Sequence, residues 1–456
     1  MKSAENTKTP TKLSAKASAA YSAPVLSMSM LHAPALALIP ALYAKHAAVS
    51  VVTIGIILVS TRILDAVTDP LIGFWSDRTN STIGRRKPWM IVGGLIAAIS
   101  AYFWLQPSAD VGVWWFLISS VGVYIGWTMV EIPHSAWMSE ITSSYEERSK
   151  ISAYRTVAYF VGYLIFVSAP LWPIFPTTEM TPEVTGVMGV ILVFLIPVTI
   201  GIAVIGAPEQ IGIPSPRREI SFLISLKEVG QNFAFRMLSL SYLLGYLASG
   251  MVGSLYFFFI DNYLGILDKI AHVGLTVAGI SLATTPLWPV ILKYFDKHQT
   301  LALCQISTAL TLAGMWFIQP GDMAFVALAS IFGLSAFLST GSIVCLNAIL
   351  ADVADQDELH TGNNKAASFY AFGALYQKFG LALGGGLGLI IAGLFGFDPK
   401  IENTGNAMSG FFFTFLGLPI VLNVLAAAAA WRFPITRAHH HAIASELKEN
   451  RATYRE

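Results

Sequence analysis

Apolar runs of about 20 residues recur along the whole chain, and they constrain its fold more than any other feature. A helix needs roughly 20 apolar residues to cross the hydrocarbon core of a membrane. The composition agrees, since 55% of residues are hydrophobic and only 12% are charged. Hydropathy predicts twelve spans, near residues 22–44, 48–75, 89–106, 112–138, 152–175, 184–206, 236–260, 271–293, 299–318, 324–350, 366–395 and 410–431. We therefore predict an all-α membrane protein.

Lysine and arginine gather on one side of these spans. Of the 28 such residues, only Lys45, Lys269 and Lys400 fall in the loops of the opposite side. Because loops rich in lysine and arginine stay in the cytoplasm, both termini are predicted to be cytoplasmic. We expect a multi-pass protein of the cell membrane, here a bacterial inner membrane.

The longest polar break divides the spans into six and six. It defines a cytoplasmic tail, a six-helix bundle, a cytoplasmic linker, a second six-helix bundle and a second cytoplasmic tail, at residues 1–21, 22–206, 207–235, 236–431 and 432–456. A faint repeat supports the division: Pro70 precedes Asp77 by seven residues, and Pro289 precedes Asp296 by seven. Such internal symmetry is typical of transporters built from repeated bundles.

Three ionisable side chains share one face of the second predicted span. Arg62, Asp65 and Asp69 are three and four residues apart, which is helical spacing. Ionisable groups inside a spanning helix are costly and usually mark an ion or proton path. Two carboxylates one turn apart repel each other, and a bound cation relieves that repulsion. The stripe predicts an ion-using transporter, although a purely structural ionic lock is the alternative.

Two sequence blocks resemble the glycoside-pentoside-hexuronide:cation symporters, the melibiose-permease branch of the major facilitator superfamily. One block is residues 65–73 with 76–78 and 84–89, and the other is residues 351–362. The resemblance implies the major facilitator fold, with twelve transmembrane helices in two pseudo-symmetric six-helix bundles. It also implies symport of a sugar or glycoside with sodium or a proton, by alternating access.

The resemblance implies where the cation would bind. The family's cation ligands correspond to Asp65, Thr68, Asp69 and Thr128. We expect Arg62, from the stripe, and Lys378, which matches a family lysine, to be their charge partners. Because Thr68 replaces the family's usual asparagine, sodium and proton both remain open as the coupling ion.

Candidate substrate contacts centre on the fourth predicted span. Glu131 matches a substrate-binding acid and Arg155 a family arginine near the substrate, but the two could also pair only with each other. Aromatic faces and polar groups nearby complete the predicted set, which comprises Glu131, Arg155, Trp127, Trp137, His134 and Ser29. His134 follows Pro133 and could shuttle protons, but satisfying the backbone freed by the proline is its favoured interpretation.

The charged loop after the second span resembles a superfamily motif that latches the two bundles together when the transporter is outward-open, and the resemblance implies the same gating role here. The gating residues are Asp77, Arg78, Arg85, Arg86 and Lys87, with Asp352 and Asp355, and Glu140 and Glu147 are further candidate partners. Individually weak ion pairs suit a latch that must break in each cycle.

Several sugar contacts of the family are missing here. Ser29 stands where galactoside transporters have an aspartate, and Ser135 and Ile343 stand where they have tryptophans. The substrate is therefore not expected to be melibiose. The same fold and aspartates occur in sodium-dependent lysophosphatidylcholine symporters, so a lysolipid or another amphipathic metabolite is an alternative. Met28, Met30, Met129 and residues 257–259, all phenylalanine, would suit such a ligand.

No enzyme signature of the HExxH, GxSxG or CxxC type is present, so we predict no enzymatic activity and no cofactor. A non-transporting sensor on the same fold remains an alternative.

The expected partners are a small-molecule substrate and the lipid bilayer. No nucleic-acid partner is expected, and the protein is expected to be a monomer. The only metal expected is Na+ at Asp65 and Asp69.

Overall fold

Helices form the framework of the computed structural model, which describes residues 13–35, 37–142, 145–208, 230, 232–362 and 366–453. The α-helices are α1 (Ala15–Ala35), α2 (Leu38–His46), α3 (Val51–Arg78), α4 (Lys87–Trp104), α5 (Val113–Ile141), α6 (Tyr145–Ser168), α7 (Pro182–Gly206), α8 (Phe233–Phe258), α9 (Ile270–Thr284), α10 (Trp288–Ile291), α11 (Lys297–Met315), α12 (Ala324–Thr361), α13 (Ala366–Leu394), α14 (Gly405–Phe412), α15 (Leu418–Trp431) and α16 (Arg437–Thr453). Two π-helical segments, Phe259–Leu264 and Phe413–Gly417, continue α8 and join α14 to α15.

Nine helical segments of the described residues are long and apolar enough to cross a membrane. They coincide with nine of the twelve predicted spans. The other three predicted spans, the first, third and ninth, coincide with α1 and α2, with α4 and with α11. Every predicted span therefore overlaps helix within the described residues.

Prolines interrupt two spans that we predicted as continuous. The first becomes α1 and α2, with Pro34 near the end of one and Pro40 in the first turns of the other. The eighth becomes α9, a 3-10 turn containing Pro286, and α10, which contains Pro289. Proline lacks the N–H that would continue the helical ladder, so the helix breaks or tightens there.

The predicted tails and linker are only partly described. Residues 1–12 of the first tail and 209–229 of the linker lie outside the described residues. Helix α1 begins at Ala15, inside the predicted tail, and α16 occupies much of the predicted second tail.

The chain divides into two compact units. One unit comprises Met1–Val49 and Ser60–Pro216, and the other comprises Ser50–Val59 and Arg217–Glu456. The start of α3 thus joins the second unit, because Gly55 packs directly on the backbone of Gly386 in α13. The predicted boundaries had placed all of α3 with the first six spans.

Apolar and glycine contacts hold the second unit together. Its core includes Leu238, Leu301, Ile349 and Phe369, none more than 2% exposed. Helices α8 and α13 approach so closely that a Cβ at Gly384 would meet the Leu247 carbonyl. Small residues allow such close packing of membrane helices.

Candidate functional site

The ionisable stripe on α3 forms an ion pair. Arg62 Nη1 donates to Asp65 Oδ2 at 2.8 Å, and both side chains are less than one-fifth exposed. The Arg62 guanidinium carbon also lies 4.2 Å from the centroid of the Tyr124 ring on α5. Asp65 therefore has the counter-charge that two carboxylates on one helix face require.

Helix α5 runs alongside the stripe. Arg62 on α3 contacts Tyr124, and a Cβ at Gly73 would lie 3.7 Å from Ile132 Cγ2. These two contacts place residues 62–73 of α3 beside residues 124–132 of α5. The predicted cation ligands Asp65, Thr68, Asp69 and Thr128 fall on these neighbouring segments.

Both threonines among the predicted cation ligands, Thr128 and Thr68, would contribute to a buried environment for a bound ion. Thr128 is 4% exposed. Thr68 Oγ1 is buried and has no hydrogen-bond partner among the described residues. A buried hydroxyl oxygen without a protein partner is unusual and suits a ligand. Lys378, the other predicted charge partner, lies on α13 in the second unit with an exposed side chain.

Glu131 and Arg155 form the polar centre of a partly exposed surface on α5 and α6. Arg155 Nη2 lies 3.2 Å from Glu131 Oε1, and Ser135 Oγ donates to the same oxygen at 3.1 Å. Arg155 Nη1 reaches the hydroxyl of Tyr21 at 3.4 Å. Glu131 keeps one-third of its side chain exposed, so its free oxygen can still accept from a ligand.

Aromatic side chains continue this surface one helical turn away. Trp127 lies four residues before Glu131, and its ring meets the His32 ring edge to face at 5.1 Å. His32 Nδ1 is 3.1 Å from the hydroxyl of Tyr159, four residues after Arg155. Sequence reasoning missed His32 and Tyr159. The position of Tyr159, one turn after Arg155, could have indicated it, whereas no charged residue lies within a turn of His32 in the sequence.

The remaining predicted substrate contacts are buried elsewhere in the first unit. Ser29 is 2% exposed, and its hydroxyl donates to Leu26 O at 2.8 Å where α1 meets Gly162. Trp137 is fully buried. Neither joins the Glu131 surface, because helix packing covers both side chains.

His134 is buried too and locks α5 to α1. Its Nε2 lies 2.7 Å from the Tyr21 carbonyl, and Tyr21 Oη donates to the His134 carbonyl at 2.5 Å. The two rings stack with centroids 4.3 Å apart. The imidazole thus meets a carbonyl of α1 rather than backbone of its own helix next to Pro133.

The charged loop between α3 and α4 is organised by Arg86. This side chain is 4% exposed, pairs with Asp77, and donates to Glu140 Oε1 on α5 at 3.0 and 2.8 Å. Arg85 Nη2 approaches the same Glu140 oxygen at 3.2 Å. Within the first unit, Glu140 is therefore the acid that Arg85 and Arg86 share.

The other basic residues of this loop lie on aromatic rings. The Arg78 guanidinium is 3.4 Å from the centroid of the Phe74 ring, and Lys87 Nζ is 5.3 Å from that of Trp137. Such cation–π contacts fix long basic side chains in place.

A corresponding ion-pair group occurs in the second unit. Lys297 Nζ, at the start of α11, lies 2.6 and 2.8 Å from the Asp352 carboxylate oxygens on α12. His440 Nε2, on α16, is 3.3 Å from Asp352 and 3.2 Å from Asp355. Both predicted acidic gating residues thus contact the last helix of the chain.

Comparison with known proteins identifies the family. The profile of the MFS/sugar transport protein family matches residues 20–437. The chain is 26% identical to an uncharacterised symporter of Synechocystis sp., over 86% of this chain and 89% of that protein. It is 24% identical to an isoprimeverose transporter of Lactiplantibacillus pentosus, over 84% and 80% of the two chains. A sodium-dependent lysophosphatidylcholine symporter of Danio rerio is 24% identical, over 87% and 83%.

Solved structures show the same fold at low sequence identity. A bacterial homologue of the lysosomal transporter Spinster superposes with a TM-score of 0.64 at 14% identity, covering 94% of this chain and 97% of that one. A D-xylose-proton symporter superposes with a TM-score of 0.59 at 15% identity, covering 92% and 95%. These matches confirm the predicted major facilitator fold. The chain belongs to the MFS/sugar transport family, within the glycoside-pentoside-hexuronide symporters, and is a cation-coupled, multi-pass membrane transporter rather than an enzyme.

Proposed function

We propose that this protein carries a sugar or glycoside together with sodium or a proton, by alternating access. The observation that carries the proposal is the partly exposed Glu131–Arg155 pair beside Trp127. A carboxylate accepts hydrogen bonds from sugar hydroxyls, a guanidinium donates to them, and an aromatic face covers the apolar side of a sugar ring. Relatives described as an isoprimeverose transporter and lactose permeases support a sugar substrate.

The proposed cation ligands are Asp65, Thr68, Asp69 and Thr128. All four residues carry oxygen ligands, which hard cations prefer. The buried, unbonded hydroxyl of Thr68 supports a metal cation, because a proton would need only a carboxylate. Sodium is thus our first candidate and the proton our second.

The charged loop between α3 and α4 is proposed to act as a latch that breaks in each transport cycle. The Arg86–Glu140 group lies within the first unit and the Lys297–Asp352 group within the second, and each group would rearrange when the latch opens. Neighbouring charges at Asp77, Arg78, Arg85, Lys87 and Asp355 would tune how easily each group opens.

The membrane setting follows from the charge distribution. We propose that the protein acts as a monomer in a bacterial inner membrane. Both termini would lie in the cytoplasm, because loops on that side hold nearly all of the lysines and arginines. Labelling of single introduced cysteines from either side of the membrane would test this orientation.

A sugar fits the structure better than a lysolipid. Met28, Met30, Phe257, Phe258 and Phe259, which would suit an acyl chain, are all 3% exposed or less. These five belong to the packed interior of their units, so they cannot line a lipid-binding surface in this conformation. Of the predicted set only Met129, two residues from Glu131, is partly exposed.

Uptake into proteoliposomes tests the proposed function. Labelled isoprimeverose, D-xylose, lactose and lysophosphatidylcholine would be offered with a sodium gradient, a proton gradient or neither. We expect one of the sugars to accumulate, and only with one of the gradients. Accumulation of the lysolipid alone would overturn the sugar proposal, and binding of a sugar without accumulation would indicate a sensor.

Two substitutions separate the cation site from the substrate site. Glu131→Gln should weaken sugar binding at least tenfold, since a charge-assisted hydrogen bond contributes about 1.5–3 kcal/mol. Asp69→Asn should abolish the cation dependence while the protein still folds. Asp322→Asn, in an exposed loop, is the matched control and should change neither. If Asp69→Asn merely unfolded the protein, the ionic-lock interpretation would gain support instead.

A further inference from the structure

A cavity lined by both apolar and polar side chains lies inside the second unit, between α8, α11, α12 and α15. Its volume is about 60 Å³, and its lining includes Ser241, Tyr242, Tyr246, Gln305 and Asn423. By this measure each water needs roughly 10–15 Å³. The cavity therefore admits about four water-sized groups, which is room for one edge of a sugar ring rather than a whole ligand.

Gln305 supplies an unsatisfied group in this cavity. Its side chain is only 4% exposed, and its Nε2 donates to Ser241 Oγ at 3.2 Å. Its Oε1 is buried and has no hydrogen-bond partner among the described residues. A buried amide oxygen without a partner is costly. A ligand that donates a hydrogen bond would remove that cost.

The hydroxyls around Gln305 also present acceptor oxygens. Three of them donate their hydrogen to a carbonyl of their own helix: Thr308 to Cys304 (2.8 Å), Ser249 to Gly245 (2.9 Å) and Ser342 to Leu338 (3.1 Å). Each oxygen keeps lone pairs for an additional partner. The cavity thus favours a ligand with several hydrogen-bond donors.

Charge and shape favour hydroxyl groups over a cation. None of the described residues that line the cavity carries a charge. A cation in an uncharged, largely buried site loses its hydration without a counter-ion. The rings of Tyr242 and Tyr246, with centroids 5.7 Å apart, offer apolar surface to the C–H groups of a sugar.

We infer that this cavity is a subsite for two or three hydroxyl groups of the transported sugar, with Gln305 Oε1 as its central acceptor. The inference rests on the proposed function and adds a binding element in the second unit to the Glu131 surface of the first.

Isothermal titration of the full-length protein in detergent with isoprimeverose, D-xylose and lactose tests the subsite. We expect Gln305→Leu to weaken sugar binding about tenfold and Thr308→Val to weaken it by about threefold, each by removing an acceptor. Thr300→Val is the matched control, because Thr300 also lies on α11, donates to the Asp296 carbonyl one turn before it and does not line the cavity. It should bind sugar like the wild type.

The outcomes separate this inference from the proposed function. If the wild type binds a sugar, and Gln305→Leu and Thr308→Val bind it with the same affinity, the subsite is overturned and the proposed function stands. Loss of sodium-induced thermal stabilisation in these variants, with sugar affinity unchanged, would overturn it in favour of a cation. Failure of the wild type to bind any of the three sugars would overturn both. Melting temperatures without sugar establish that each variant is folded.

Discussion

At the residue scale, the guanidinium of Arg62 lies between the Asp65 carboxylate and the Tyr124 ring. It offsets one of the two charges on α3 and stacks on α5 at the same time. Arginine suits this double role, because its planar group can bond in its plane and stack on its face. The charge available for a coupling cation therefore depends on how firmly Arg62 holds Asp65.

Arg62→Gln should make the protein depend more on the cation. Without the guanidinium, the carboxylates of Asp65 and Asp69 lack this counter-charge, and a bound cation replaces it. We expect sodium, or acidic pH for proton coupling, to raise the melting temperature of this variant more than that of the wild type. Arg62→Lys, which keeps the charge, should lie between the two. Equal stabilisation of all three proteins would contradict the prediction.

At the element scale, glycines decide how closely α8 and α13 pack. Cβ atoms at Gly250 and Gly384 would meet backbone atoms of the facing helix, at Leu381 and Leu247 respectively. Backbone cannot move aside as a flexible side chain can. Close contact between the two helices thus requires glycine at these positions.

Gly384→Ala should destabilise the second unit by about 1–3 kcal/mol through overpacking. The measurement is the melting temperature in detergent. Gly279→Ala on α9 is the control, because no atom lies within 4 Å of the added methyl group. Alanine's higher helix propensity should leave that variant unchanged or slightly stabilised. A loss of similar size in both variants would show that packing is not the cause.

At the scale of the whole molecule, the two units repeat one arrangement. In the first, a basic residue at the start of α4 pairs with Glu140 near the end of α5. In the second, Lys297 at the start of α11 pairs with Asp352 near the end of α12. The equal spacing of Pro70 and Pro289 before Asp77 and Asp296 is the trace of this repeat in the sequence.

Each ion-pair group should stabilise its own unit. Glu140→Gln removes the charge that Arg85 and Arg86 share, and Asp352→Asn removes the one that Lys297 and His440 share. We expect each change to cost about 1–3 kcal/mol locally. Hydrogen exchange followed by mass spectrometry should speed up at α4 and α5 for the first variant and at α11, α12 and α16 for the second. Faster exchange throughout both units in either variant would contradict this local role.

The sequence alone determined the membrane character, the helical spans and the family. These follow from the length and apolarity of segments and from local motifs, which need no knowledge of distant contacts. The ionisable stripe on α3 was also evident, because helical periodicity is local. Broken helices at Pro34 and Pro286 were not predicted, since whether a proline kinks or breaks a spanning helix depends on its neighbours.

Tertiary structure decided which of the candidate side chains stay accessible. All six predicted substrate contacts have polar or aromatic side chains, so residue type does not separate them. Helix packing buries Ser29, Trp137 and His134. It leaves Glu131, Arg155 and Trp127 partly exposed. It also brought His32 beside Trp127 and Tyr159 beside His32, and it left Gln305 Oε1 without a partner among the described residues. A sequence gives the chemistry and helix face of each residue, whereas the facing helix determines whether that face is covered.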